Sequence, residues 1–300
     1  MQHPARWVYT LVLLLTLLLL GAGYAPGRAA SAPPAGAQSL PATPLPCGAP
    51  PGWSPVSPYP FPSFASAVGT LGGYLYAFGG PGAPNGESFK YDPLADLWIP
   101  IAPMPAYRSE HRAVSDGTYI YLLNGNDGST HPPTLWRYDP AGNTYTILAP
   151  PPVGSVVHAA AYLNGKIYRI AGAGLNSVDV YDIASNTWAP PGTIANYPLV
   201  AYRLQAVVAG GYIYTAGGVG YSQAYRYDPA GNTWDDAAVT DLPGDRNSYA
   251  TTILNGRWLI AGGFINNNTV RTNTVLALDL ANPAGPWVLL PAMPQPLDYF

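Results

Sequence analysis

One glycine recurs at an almost constant interval through most of the chain, and this interval limits the folds that the sequence can adopt. It follows a short apolar and aromatic run, such as Ile120-Tyr121 or Ile213-Tyr214, at successive spacings of 45, 47, 46 and 45 residues. The five glycines in register are Gly80, Gly125, Gly172, Gly218 and Gly263. A repeat of this length indicates an array of similar structural units, each packed against its neighbours.

Each repeat contains segments for four short strands. Runs of Val, Ile and Tyr bounded by Gly, Asn and Asp are typical of strands, and the turns Asn164-Gly165 and Asn255-Gly256 suit tight hairpins. Later in each repeat a Tyr-Asp or Leu-Asp pair ends a strand, and one aromatic residue follows it: Trp98, Tyr145, Trp188, Trp234 or Trp287. Four strands per repeat predict an all-β fold, a β-propeller of radially packed four-stranded blades.

The pattern resembles the kelch repeat, and the resemblance covers residues 64–294. The elements that carry it are a double glycine after an Ile-Tyr strand, a Tyr-Asp-Pro sequence and the Trp that comes next. The sequence departs from the motif where Asn124 and Ala171 replace the first glycine and where Leu278-Asp279 lacks the Tyr. The resemblance implies a kelch β-propeller with five complete blades.

A repeat fragment precedes the first complete unit. Trp53 stands 45 residues before Trp98, and Pro58-Tyr59-Pro60 stands 45 residues before Pro103-Met104-Pro105. We therefore expect residues 53–60 to form the outer strand of a sixth blade, in a propeller domain spanning 53–300. Exposed strand edges invite pairing between chains, so we expect the chain to be truncated at its C-terminus. The alternative is a five-bladed ring with a spare strand on its rim.

The first 52 residues have the composition of an export leader followed by a linker. Arg6 precedes an apolar run from Trp7 to Leu20, which is short for crossing a bilayer, and small residues follow it. Residues 1–37 are therefore predicted as a signal peptide, with an uncleaved membrane anchor as the alternative. Residues 38–52 are predicted as a Pro/Ala-rich linker. The protein is thus expected to be secreted, at the cell surface or in the periplasm, and this apolar segment is its one predicted membrane contact.

The charge balance excludes one class of partner. Thirteen Lys and Arg residues stand against 16 Asp and Glu, a net charge of −3, without the basic cluster that binds nucleic acid. Cys47 is the only cysteine, which excludes an intrachain disulfide and a zinc site built from thiols. The sequence contains no nucleotide-binding loop, zinc-protease motif or serine-hydrolase motif, and we predict no metal and no cofactor.

The resemblance places the loops after the second strands and the connections between blades on one face of the propeller. The candidate ligand-binding residues on these loops are Tyr107, Arg108, His111, Arg112, Asn126, Asp127, His158, Tyr202, Arg203, Arg246 and Tyr249. Arg108, Arg203 and Arg246 match family arginines that often face a ligand, and guanidinium groups bind carboxylates through paired hydrogen bonds. Of the candidate residues, Arg108 and Arg246 are the ones that a role in packing explains least well. His111 and His158 occupy equivalent positions and are expected to brace neighbouring blades rather than bind metal.

Glu87 and Glu110 are the only glutamates and the only candidates for catalytic groups. If their loops share a face, their carboxylates could approach each other beside Arg108 and Arg112. Paired carboxylates perform acid-base chemistry on sugars. Two solvated surface side chains are the simpler interpretation.

Three functions follow from this reasoning. Most of the sequence supports an exported interaction module that recognises a protein or a glycan through the loop face. The pattern also resembles the kelch-like sialic acid mutarotases, which implies a sugar-modifying enzyme as an alternative; copper radical oxidases are excluded because Cys47 lies outside the propeller. A scaffold domain of a longer envelope protein is the third. The scarcity of catalytic groups favours binding over catalysis, and the fold alone does not name the ligand.

Overall fold

The structure is a computed structural model that describes residues 53–298. Within this range the chain forms five sheets of four antiparallel strands and one two-stranded hairpin. No helix in the same range is long and apolar enough to cross a membrane. The prediction of an all-β propeller with five complete four-stranded blades is confirmed.

The strands of each blade are hydrogen-bonded in chain order, from the inner strand to the outer one. Blade one contains β1 (Ala67–Leu71), β2 (Tyr74–Phe78), β3 (Ser88–Asp92) and β4 (Leu97–Ile101). Blade two contains β5 (Arg112–Ser115), β6 (Ile120–Leu123), β7 (Leu135–Asp139) and β8 (Thr144–Ile147). Blade three contains β9 (Ala159–Leu163), β10 (Lys166–Gly172), β11 (Leu175–Asp182) and β12 (Thr187–Trp188). Blade four contains β13 (Gln205–Ala209), β14 (Tyr212–Ala216), β15 (Ala224–Asp228) and β16 (Thr233–Asp235). Blade five contains β17 (Ala250–Leu254), β18 (Arg257–Ala261), β21 (Val275–Asp279) and β22 (Val288–Leu290), with the extra hairpin β19 (Phe264–Ile265) and β20 (Val270–Arg271) between its second and third strands.

The first strands of the five blades surround a central channel. β1, β5, β9, β13 and β17 line a cavity of about 490 Å³. Neighbouring inner strands pack against each other from β1 through β5, β9 and β13 to β17. Because each inner strand begins where the chain enters a new blade, the connections between blades meet at one end of the channel. We call this end the channel mouth.

Aromatic side chains fill the spaces between blades. In blades one to four, the Tyr near the end of the third strand lies against the aromatic residue of the fourth strand, with ring centroids 5.3 Å apart for Tyr181 and Trp188 and 4.9 Å apart for Tyr227 and Trp234. The apolar clusters cross the blade boundaries, as where Phe78 of blade one packs with Tyr138 of blade two. Large flat rings bury much area in these narrow spaces, which explains why tyrosine and tryptophan recur in every repeat.

A repeated hydrogen-bond arrangement, here called the blade clamp, joins neighbouring blades near their outer strands. In blade four, the Asn232 Oδ1 accepts from the Tyr227 hydroxyl at 2.9 Å and from the Ala195 N–H, beyond blade three, at 2.8 Å. The indole N–H of Trp234 donates to the Ala195 carbonyl at 3.1 Å. The residues that take the place of Asn232 in blades one to three are Asp96, Asn143 and Asn186. The repeated Tyr is therefore retained for its hydroxyl as well as its ring.

The predicted outer strand at residues 53–60 is wrong, because the segment contains no strand. Three of its eight residues are prolines, which lack the N–H that a strand ladder needs. It nevertheless makes the contacts of a blade clamp with blade one. The Ser57 N–H donates to Asp96 Oδ1 at 2.8 Å, and the Trp98 indole donates to the Ser57 carbonyl at 3.1 Å.

The same segment also touches blade five. Trp53 packs on the apolar cluster that includes Leu259 and Met293, while Tyr59 lies against Trp98 of blade one with ring centroids 4.8 Å apart. Residues 53–61 thus contact both the first and the last of the described blades. The predicted truncation stays a prediction, and the predicted leader and linker at 1–52 lie outside the described residues.

We predict that Asn232→Ala lowers the free energy of unfolding by about 2–4 kcal/mol. The change removes the acceptor of two hydrogen bonds. It also places alanine at a φ of 51°, in the left-handed region that asparagine tolerates better. Asn232→Asp is the matched control, since Asp96 accepts the equivalent hydrogen bonds in blade one. We expect this variant to lower the free energy of unfolding by about 1 kcal/mol or less. Equilibrium denaturant unfolding of both variants makes the measurement. Equal stability of wild type and Asn232→Ala would show that the blade clamp contributes nothing.

Candidate functional site

A ring of five residues, one from each repeat, encircles the channel mouth. All five have the left-handed backbone conformation, with φ between 51° and 62°: Ala65, Glu110, Val157, Arg203 and Ser248. Four main-chain hydrogen bonds connect them in order around the channel, at 2.8 Å (Glu110 N–H to Ala65), 3.2 Å, 2.8 Å and 2.9 Å (Ser248 N–H to Arg203). A positive φ is costly for a residue with a Cβ, above all for a β-branched one. The hydrogen bonds hold this conformation, so the mouth ring is a rigid frame.

Charged and polar residues from four of the five repeats converge within this frame. A pocket of about 30 Å³ is lined by Ala65, Ser66, Glu110, Arg112, Val157, Arg203, Gln205 and Ser248. Ser66, Arg112 and Gln205 also line the channel below it, so the pocket opens into the larger cavity. Its charged groups are Glu110 and Arg112 of blade two and Arg203 of blade four. An anionic group of a ligand would therefore find two guanidinium groups here.

Arg112 lies deepest of the three charges. Its Nη1 donates to the His111 carbonyl at 3.3 Å, and its Nε is buried without a hydrogen-bond partner. Burial lowers the pKa of Arg112 to about 10, an effect that the nearby Glu110 partly offsets. The side chain is charged at neutral pH and has unused donors inside the channel.

Arg203 is positioned by the extra hairpin of blade five. Its Nη1 donates to the Asn268 side-chain oxygen at 3.2 Å, and its guanidinium lies 5.8 Å from the Tyr202 ring centroid. The hairpin tip is itself fixed, because the Asp245 carboxylate accepts the Asn266 N–H at 3.0 Å and the N–H of the next residue at 2.6 Å. Half-buried Arg203 and Tyr202 are thus held at the mouth as a pair.

The expectation that Arg108 and Arg246 face a ligand is wrong. Each is only 6% exposed. Arg108 donates to the Tyr107 carbonyl at 2.6 Å and lies 4.9 Å from the Trp136 ring centroid, between blades one and two. Arg246 donates to the Gly262 carbonyl at 3.1 Å and through Nη2 to the Thr274 hydroxyl at 2.6 Å. These two arginines brace blades, and Arg203 alone of the three family-like arginines lines the mouth.

His111, His158 and Tyr249 are fully buried at equivalent repeat positions. The Tyr249 hydroxyl donates to the Ala216 carbonyl at 2.5 Å, which accounts for its polar group. Neither histidine has a hydrogen-bond partner on its ring nitrogens within the described protein. Burial lowers the pKa of His111 to about 3 and that of His158 well below its usual range, and the neighbouring arginines add to both shifts. All three side chains point away from the mouth pocket, so their described role is in packing between blades.

Tyr107, Asn126 and Asp127 lie half-buried on the loop side of blade two. Asn126 Oδ1 accepts the Gly128 N–H at 2.6 Å, and Asp127 Oδ1 accepts the Thr130 N–H at 2.6 Å. The hydrogen bonds from the loop, led by the Thr130 N–H, hold the pKa of Asp127 well below its usual range. The acidic group therefore shapes its own turn, and none of the three residues lines the mouth pocket.

The structure does not bring Glu87 into the mouth pocket with Glu110. The Glu87 carboxylate accepts hydrogen bonds from the Asn85 backbone at 3.0 Å and from its side chain at 2.8 Å. Partial burial opposes ionisation, but these hydrogen bonds outweigh it and lower the pKa of Glu87. Glu110 is the carboxylate of the mouth. Among residues 53–298 no three His, Cys, Asp or Glu side chains are grouped to hold a metal.

Sequence reasoning missed four polar residues of the site: Ser66, Gln205 and Ser248 in the pocket lining and Asn268 beside Arg203. Alignment of the repeats places Ser248 in register with Glu110 and Arg203, and Gln205 in register with Arg112. This alignment was sufficient to find the first three. Asn268 belongs to a hairpin that the other blades lack, and the repeat carries no signal for it.

The five blades around a channel define the class of protein, a β-propeller. The family model for the Kelch motif matches residues 107–152. Kelch-like protein 23 of Pongo abelii is 32% identical over 124 residues, which are 40% of this chain and 22% of that protein. Kelch-like protein 35 of Mus musculus is 29% identical over 145 residues, 46% of this chain and 25% of that protein. The chain therefore carries a kelch motif, and part of it is similar to these kelch-like proteins.

A solved structure agrees with the fold. The structure of YjhT superposes with a TM-score of 0.64 and covers 80% of this chain and 88% of that one, at 16% sequence identity. At this identity the likeness supports the propeller and nothing finer. The chain spans about a quarter of the length of the two curated relatives.

The buried histidines predict a loss of stability in mild acid. His158 is neutral in the folded protein, whereas its pKa in the unfolded chain is near 6.5. The unfolded state therefore binds more protons below pH 6.5, and the free energy of unfolding decreases as the pH is lowered. His158→Leu, which copies Leu204 of blade four, should reduce the slope by up to about 1.4 kcal/mol per pH unit. Unfolding free energies at pH 7, 6 and 5 measure it. Exposed His131, changed to Gln, is the control, and an unchanged slope in His158→Leu would refute the assignment.

Proposed function

We propose that this protein is an exported interaction module that binds a protein or a glycan at the channel mouth. The observation that carries the proposal is the convergence of Glu110, Arg112 and Arg203, from two blades, on the rigid mouth ring. A preorganised frame reduces the ordering cost of binding. The family supports protein partners in general. Export rests on the leader sequence at residues 1–37.

The chemistry of the mouth suits a ligand with an acidic group and a flat apolar surface. Guanidinium groups bind carboxylates through two parallel hydrogen bonds. Tyr202 lies beside Arg203, and half-buried Tyr107 lies on the same face of the propeller. Tyrosine rings present apolar area to a peptide side chain or a sugar ring and retain a hydroxyl for hydrogen bonding. Both proposed ligand classes can use these groups.

We expect Arg203→Gln to weaken binding of the natural ligand at least tenfold, about 1.4 kcal/mol. Glu110→Gln removes a like charge beside an acidic ligand and should not weaken binding. Arg257→Gln is the matched control, because exposed Arg257 follows the Asn255-Gly256 turn at the opposite end of the strands. The full chain is screened on protein and glycan arrays, and the affinity of each hit is measured for all four proteins. If the ligands bind Arg203→Gln as tightly as wild type, the channel mouth is not their binding site.

A second candidate is a sugar-modifying enzyme of the mutarotase type. The observation that favours it is Glu110, a single carboxylate at the mouth with Arg112 and Arg203 lining the same pocket. A carboxylate so placed could move a proton on a sugar hydroxyl while the arginines hold an acidic substituent. The Glu87–Glu110 pair is not part of this proposal, because Glu87 lies outside the pocket.

Anomer exchange of an acidic sugar tests the enzyme. If Glu110 carries the proton, we expect Glu110→Gln to reduce the rate above background by roughly 100-fold or more. Glu87→Gln is the matched control and should retain the wild-type rate. Equal rates for wild type, Glu110→Gln and buffer alone would remove this candidate and leave the binding module.

A further inference from the structure

The geometry points to an anion site inside the central channel, where Arg112 holds a small monovalent anion or the carboxylate of a larger ligand. The inference deepens the proposed function, on which it rests for the source of a natural carboxylate. Binding of a free small anion at Arg112 needs no partner protein or glycan. The two ideas can therefore fail separately.

The central channel has a single charged side chain in its lining. Apart from Arg112, the lining consists of neutral and mostly small side chains from the five inner strands, with Tyr162 and Gln205 as the larger ones. A positive charge surrounded by small neutral side chains attracts an anion more strongly than one at an open surface, because water screens it less.

The hydrogen-bonding capacity of Arg112 is largely unused. A guanidinium has five N–H donors, and one of them reaches the His111 carbonyl at 3.3 Å. The buried Nε has no partner, and Arg112 forms no ion pair within 4.0 Å in residues 53–298. A buried cation is costly unless it is paired. The Nε is enclosed by protein, so an anion in the channel would neutralise the charge through the terminal Nη nitrogens.

The layer of side chains around Arg112 leaves space for such an anion. The repeat positions equivalent to Arg112 are occupied by Ala67, Ala159, Gln205 and Ala250. Ala67 and Ala250 line the channel with short side chains, whereas Ala159 packs in the apolar core. Gln205 also lines the channel and brings an amide that can donate a further hydrogen bond. A carboxylate could thus take paired bonds from the guanidinium and one more from the amide.

The other charges at the mouth leave Arg112 as the positive centre. Glu110 lines the mouth pocket without forming an ion pair to Arg112. Arg203 donates to Asn268 of the hairpin and does not line the channel below the pocket. Glu110 therefore stands at the entrance, where it disfavours highly charged anions, and Arg112 provides the site inside.

The test is a titration of the full chain, labelled with ¹⁵N-arginine, with sodium acetate and sodium chloride. We expect one Nε–H resonance, identified by its absence in Arg112→Gln, to shift in a saturable manner, while the Arg257 resonance stays in place. Acetamide, the neutral analogue of acetate, should leave the Arg112 resonance unchanged. A shift that is linear in salt and equal for both arginines would overturn the site.

Unfolding temperatures provide a second readout that does not depend on resonance assignment. A ligand that binds the folded state stabilises it in proportion to its occupancy, so the midpoint of wild type should rise with acetate and that of Arg112→Gln should not. Arg112→Lys keeps the charge but loses the paired donors, and we expect acetate to bind it more weakly than wild type. Equal acetate dependence in wild type and both variants would overturn the inference.

Two further ligands separate the sources of a natural carboxylate. Free glucuronate and a short aspartate-containing peptide are titrated against the Arg112 resonance, and the one that saturates it at lower concentration names the source. Saturation by acetate with no partner found on any array would sustain the anion site and count against the proposed function. A partner that binds through Arg203 while no carboxylate shifts the Arg112 resonance would do the reverse.

Discussion

The propeller depends on one hydrogen-bond arrangement, the blade clamp. In each of blades one to four, a side-chain oxygen accepts from the Tyr of its own blade and from the main chain that follows the preceding unit. The four clamp residues, Asp96, Asn143, Asn186 and Asn232, all have φ between 49° and 54°. Asn and Asp tolerate this conformation better than other residues with a Cβ. In each of these four blades, one residue thus occupies the turn directly before the fourth strand and holds the preceding segment of the chain.

Two sets of contacts therefore set the spacing of the blades, one near the outer strands and one at the channel. The blade clamp uses side chains, whereas the mouth ring uses main-chain hydrogen bonds between positions such as Glu110 and Val157. Aromatic rings fill the space between the two sets. The loops that carry the mouth side chains are consequently attached to a frame that is braced from both sides.

The sequence predicted the architecture better than the site. Glycine spacing and the Tyr-Asp and Trp positions were sufficient for five blades, because each marks a strand or turn that recurs. Which arginine reaches solvent depends instead on side-chain direction at single positions. Arg108 lies between two blades, whereas Glu110 and Arg112, two residues apart, both line the mouth pocket. Because side chains alternate between the two faces of a strand, Glu110 and Arg112 could have been assigned to one side and His111 to the other. The resemblance to the family instead favoured Arg108 and Arg246 as ligand-binding residues. The prolines of residues 53–60 argue against a strand, but the 45-residue spacing of this segment from its repeat favoured one.

The mouth ring has a consequence for how such a protein can change over evolution. Its five positions already hold Ala, Glu, Val, Arg and Ser on the same backbone conformation. The ring is bonded through its main chain, so the frame does not depend on which side chain each position carries. The side chains at the mouth can therefore change without a change in the backbone that holds them. A lineage can exchange charge, size or polarity there, one repeat at a time, and keep the same folded body.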